Sequence, residues 1–196
     1  MTNIIDYTYF KSKLDIANAV ETGYVQIAVA NLITEEQYNL LNKMLGPVLY
    51  AQFKTWYETL PLDTGNTFND LLNGKVFTSV AGYQVNWVGL MNAQKISPIA
   101  NYCYCEWQER NVTQSVSMGE VKTQSQNSIT ADPVAKSVAA WNLFVNMMFD
   151  YIEFMNKYYA TNANWTGYLG YANSTHCDTR TFYGQRLLKF RNSLGL

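Results

Sequence analysis

The chain has 196 residues and a formal net charge of −1, so it can bury a sizeable core but has no strong charge bias toward nucleic acid. Only 15% of its residues are charged, against about a quarter in ordinary soluble domains, while tyrosine occurs 15 times. Such a surface is polar without being charged, and tyrosine is enriched where proteins meet proteins; biased genome composition would leave the same mark.

The first residues, "MTNIIDYTYFKSK", lack the basic-then-apolar order of a secretory signal. Three cysteines, an odd number, favour reduced thiols and an intracellular setting. The sequons at Asn111, Asn164 and Asn173 are what an Asn- and Thr-rich chain contains by chance. The most apolar run, "SVAAWNLFVNMMF", is too short for a bilayer and contains two Asn.

The spacing of Ile16, Val20, Tyr24 and Ile27 predicts a first helix over about Ser12 to Asn31, with that stripe buried. Thr34 and Gln37 stand at capping-box spacing and predict a second helix start, with Glu35 and Glu36 placed for the helix dipole. Its apolar face would be Tyr38, Leu41, Met44 and Leu45. Gly46-Pro47 ends or kinks it, and Pro47 can open the next, with Leu49, Phe53, Trp56 and Leu60 on one side.

"FNDLLNG" reads as a short helix closed by Gly74. Period-two alternation on both sides of Ala81-Gly82 then predicts a β-hairpin over 75–88. An isolated hairpin is marginal in water, so it needs a helical surface or another subunit to lie on. Ser97-Pro98 supplies an N-cap and first-turn proline for a helix to about Arg110.

Residues 112–132 are polar, β-tolerant and too long for an ordinary connector, so they read as a functional extended loop. Asp132-Pro133 opens the strongest helix, about Pro133 to Tyr159, with Val134, Val138, Trp141, Phe144, Val145, Met148, Ile152, Met155 and Tyr159 in helical period. The predicted fold is thus mainly α: a bundle of four to five helices in residues 1–160, one short hairpin, one long extended loop, and a C-terminal arm over 161–196. The arm holds Arg180, Arg186, Lys189 and Arg191 against Asp178, which reads either as a solvated helix end or as a docking arm for an acidic surface.

Catalytic motifs are missing. No phosphate loop, dinucleotide fingerprint, nucleophile elbow or H-E-x-x-H occurs. Cys103, Cys105, His176 and Cys177 could total four zinc ligands. However, residues two apart on a helix diverge by about 200°, and adjacent His-Cys is not a standard spacing. Buried thiols with a surface His are the expected arrangement, and no cofactor is implied. Glu106 and Glu109, beside Arg110, read as a solvated face. A sugar-binding platform of Trp165, Tyr168 and Tyr171 is a further alternative, disfavoured by the helical character.

Several segments in order resemble the head–tail connector (adaptor) proteins of tailed phages of Bacteroidetes, including crAss-like phages. They are Ile27-Ala28-Val29, then Leu45-Gly46-Pro47-Val48-Leu49-Tyr50, then Trp87-Val88-Gly89-Leu90 before "IANYCYCEW", and Gly119-Glu120-Val121-Lys122 before "TQSQNSI". The resemblance covers Leu14 to Tyr159. Val29 stands where a polar residue is expected, and "ITEEQYNLLNK" looks inserted. The resemblance implies a non-enzymatic helical subunit of which about twelve copies form a ring beneath the portal, continuing the DNA channel and presenting a docking surface to the tail. Its partners would be the portal protein, neighbouring copies, other tail or ring proteins, and double-stranded DNA passing without sequence-specific contacts, with no membrane. Contact residues would then fall at Tyr83 and Trp87 on the hairpin, at Val112, Gln114, Val116, Met118, Gly119, Glu120, Val121 and Lys122 on the extended loop, and at Arg180, Arg186, Lys189 and Arg191 on the arm. The alternatives are another virion ring or tail-completion protein and, from a different class, a small metal or thiol enzyme.

Overall fold

A computed structural model describes residues 2–11, 13–59, 62, 64–111, 114–116, 119–121 and 133–162. The chain opens with a 3-10 turn at Tyr7–Phe10, capped by the Asp6 carboxylate accepting from the Thr8 backbone N–H at 2.9 Å. Helices α1 (Tyr24–Glu58) and α2 (Thr67–Asn73) follow, then the antiparallel hairpin β1 (Lys75–Thr78) and β2 (Gln84–Trp87). Helix α3 (Pro98–Asn111) leads to a second hairpin, β3 (Gln114–Val116) and β4 (Gly119–Val121), and α4 (Pro133–Tyr159) comes last. The mainly helical class with a short hairpin is as the sequence predicts. Part of the expected extended loop is paired, with Ser115 opposite Glu120.

The start of the chain departs from expectation. Residues 13–22 form turns, and the helix begins at Tyr24. Ile16 is buried, but Tyr24 and Ile27 are 85% and 59% exposed, so the predicted stripe does not exist. Instead Ile4, Ile5, Phe10, Leu14 and Ala19 enter the core from non-helical backbone, where no helical period could announce them. The start predicted at Thr34 is also absent. Nothing from Leu32 to Gln37 breaks a helix, so α1 runs straight through, and the Thr34 hydroxyl donates to the Ala30 carbonyl at 2.9 Å instead of capping. Tyr38, expected on the apolar face, is 54% exposed; Leu40 takes that place in the core.

The kink at Gly46-Pro47 is real. Gly46 sits at φ 75°, ψ 161°, outside the helical region, while helix continues on both sides. The Tyr151 hydroxyl of α4 donates to the Met44 carbonyl at 2.8 Å, just before that break. Helix α3 is central, packed on α1 and α4. Ser97 caps it, accepting from the Ile99 N–H at 3.1 Å. Every residue from Pro98 to Cys105 is buried, so this half of α3 has no solvent face. That all-round burial puts both cysteines inside despite their divergent directions. Asn101 joins the core by donating to the Ala140 carbonyl at 2.8 Å. The described residues share one hydrophobic core. The strongest periodic segment, α4, has the predicted bounds and buries every predicted position from Trp141 onward.

Candidate interaction surface

The first hairpin is mounted on the protein's own helices. Phe77, Val85 and Trp87 point inward and are buried, whereas Val76, Thr78, Gln84 and Asn86 point outward, as period-two alternation requires. Phe77 meets the Phe154 and Tyr158 rings edge-on at 5.8 and 5.7 Å, and Trp87 lies 5.6 Å from the Tyr151 ring. Trp87, expected to face a neighbouring subunit, is fully buried: its indole serves the core. Its Nε1 donates to the Leu71 carbonyl at 2.9 Å.

That bond belongs to a lock between the hairpin and α2. A helix of this length leaves its last carbonyls unpaired, and the chain leaving β2 satisfies two of them. Leu90 N–H donates to Leu71 O at 3.3 Å, and Met91 N–H donates to Leu72 O at 2.9 Å. The crossing is so close that a Cβ on Gly74 would lie 2.6 Å from the Trp87 carbonyl oxygen, and one on Gly89 would lie 2.5 Å from the Gly74 nitrogen. Both glycines also have positive φ, 87° and 86°. Lys75 completes the mount, paired with Asp70 and 5.0 Å above the Tyr158 ring.

The outer face carries exposed apolar groups, Val76 at 66% and Val80 at 72% exposure, while Tyr83, 51% exposed, lies opposite Ser79 on the inner side of the hairpin's tip. The Tyr83 phenol reaches α4, where hydrogen bonding to the Glu153 carboxylate holds its pKa up. Gln114, Val116, Gly119, Glu120 and Val121 lie on the second hairpin, directly after α3. Val112, Met118, Lys122, Arg180, Arg186, Lys189 and Arg191 fall outside the described residues, as do His176, Cys177, Trp165, Tyr168 and Tyr171.

One charged cluster escaped the sequence reading. Arg110, at the end of α3, pairs with both Glu35 and Glu36 of α1, and Glu36 is 4% exposed. Glu36 therefore serves as a buried partner for α3 and not as a helix-start charge, and Arg110 is no mere solvated terminus. Glu106 faces the same cluster; burial first, then the charges of Glu36 and Glu109, push its carboxyl above the usual range. Spacing could not reveal this, because the ion pair joins residues more than seventy positions apart.

Among the described residues the two cysteines form no activated thiol site. Cys103 and Cys105 are buried, and burial pushes the Cys103 thiol well up, the opposite of an activated thiolate. Among the described residues no group of His, Cys, Asp and Glu could hold a metal ion, and no helix is long and apolar enough to cross a membrane. A groove of about 570 Å³ runs between the N-terminal segment, α1 and the 91–95 turn. Its Tyr9 hydroxyl already bridges the Asn92 backbone, accepting from N–H at 3.2 Å and donating to the carbonyl at 3.3 Å, and Lys95 covers the Tyr9 ring. Compared with protein families, characterised proteins and solved structures, the chain matches none.

Proposed function

We propose that this chain is a structural subunit of a tailed-phage virion, forming a ring between portal and tail that extends the DNA channel, and that it is not an enzyme. The observation that carries this reading is the first hairpin, whose inner face is fixed to α2 and α4 while Val76 and Val80 stand in solvent on the outer face. A soluble monomer gains nothing from clamping apolar side chains outward, whereas a subunit that meets neighbours needs a rigid apolar contact. Among the described residues the two short hairpins also leave strand edges unpaired, to which a neighbour can add a strand. The order of connector-like segments from Ile27 to Lys122 supports the same assignment. Heterologous contacts of this kind close into rings, here of about twelve copies. The partners are then the portal protein, neighbouring copies, other ring or tail proteins, and DNA in transit. The site of action is the head–tail junction, after synthesis in the host cytoplasm.

Mass photometry of this protein mixed with the portal protein of the same genome tests the proposal. The expected result is a discrete complex with about one copy per portal subunit. A monodisperse monomer with no association would overturn the portal reading and leave another virion ring or tail-completion role. Stoichiometric zinc in the purified protein would overturn the structural reading altogether.

A further inference from the structure

The register of the first hairpin sorts the backbone of β1 as well as its side chains. The Ser79 N–H donates to the Tyr83 carbonyl at 2.8 Å, which makes these two a hydrogen-bonded pair. Bonded and non-bonded pairs alternate along an antiparallel ladder. Phe77–Val85 and Lys75–Trp87 are therefore bonded pairs, and Val76–Asn86 and Thr78–Gln84 are not. The N–H and C=O groups of Val76 and Thr78 thus point away from β2, along the free edge of β1. Among the described residues no backbone group pairs with them.

β2 is the strand that lies against α4, so β1 is the outer strand of the two. Exposed edges are ordinarily blunted by charged side chains, proline or a bulge. Here the pairing runs without a bulge, and Val76 to Val80 reads "VFTSV", with neither charge nor proline. The charge just before it, Lys75, is engaged by Asp70. The side chains that flank the edge, Val76, Thr78 and Val80, are β-branched and exposed, as suits a strand with a neighbour.

We propose that this protein self-associates through that edge, two copies pairing antiparallel at Val76–Thr78 into one continuous four-stranded sheet. The edge is complementary to itself. Val76 faces the partner's Thr78 and Thr78 faces the partner's Val76, each pair exchanging both backbone bonds about a two-fold axis through Phe77. Strands about 4.8 Å apart put the two β2 strands about 14 Å from each other. Packed helices need only about 8–10 Å, so the two copies of α4 do not collide beneath the sheet. On the opposite side, the Val76 and Val80 side chains of both copies join into one apolar patch. This contact goes beyond the ring reading, because it pairs free subunits without any portal.

Residue-resolved amide hydrogen exchange of the full chain, with the mass measured at each step of a dilution series, tests this. Pairing gives the Val76 and Thr78 amides a hydrogen bond they lack in the single subunit. Their exchange should slow about ten-fold between the monomeric and the paired end of the series. The Phe77 amide, bonded within the hairpin, should already be slow at the monomeric end. A mass that stays monomeric up to about 1 mM would overturn the proposal. So would a dimer whose Val76 and Thr78 amides still exchange freely, which places its interface elsewhere. Thr78→Pro removes a donor that the hairpin itself does not use, at a position where edge strands tolerate proline. It should weaken pairing at least about ten-fold, and undiminished pairing would also overturn the proposal. The wild-type exchange series decides alone should that variant fold poorly. No portal protein enters either measurement, so these results and portal binding are separate.

Discussion

Glu36 shows how a single residue can be read correctly as helical and wrongly in role. Its place beside Glu35 suits a helix start, yet the helix began three turns earlier and the carboxylate is turned inward to Arg110. A buried charge is tolerated only when paired, and removing one partner leaves the other without compensation. Arg110→Ala should therefore cost about 2 kcal/mol in urea unfolding, less than a fully buried pair because the Arg110 side chain is 44% exposed and water can approach. Glu35→Gln should leave the unfolding midpoint almost unchanged, since that carboxylate is solvated. Equal losses from the two substitutions would mean that the cluster acts as one surface network and that Glu36 is not the anchored member.

Among the elements, legibility followed periodicity. α4 and the first hairpin were readable because their apolar residues recur at the spacing of the structure they form, 3.6 in one case and two in the other. The N-terminal segment was not readable, because Ile4, Phe10 and Leu14 reach the core from turns that impose no period. The α2–hairpin lock left only a trace, two glycines fifteen residues apart that serve the same backbone crossing. Gly89→Ala meets both a backbone clash at 2.5 Å and a positive φ, and neither can relax by turning a side chain. The expected loss is about 3 kcal/mol, with the hairpin amides exchanging faster than those of α3. A loss below about 0.5 kcal/mol would show that α2 and the hairpin separate easily and that the outer face is not rigidly mounted.

For the whole molecule, the helical class and the hairpin were legible, but which face of the hairpin would be free was not. Alternation gives two faces and does not say which one the protein keeps for itself; the aromatic contacts with α4 decide it, by taking Phe77 and Trp87 and leaving Val76 and Val80. That division allows folding and assembly to be separated by mutation. Val76→Asp/Val80→Asp places charge on two side chains that are 66% and 72% exposed, so urea stability should stay within about 0.5 kcal/mol of wild type. In contact with a partner the same carboxylates would be desolvated without a counter-charge, at several kcal/mol. The complex with the portal protein should then be lost at concentrations where the wild type is saturated. If the variant is as stable as the wild type and still assembles, this face is not the contact, and the strand edges of the second hairpin, Gln114–Val116 and Gly119–Val121, become the surface on which ring formation depends.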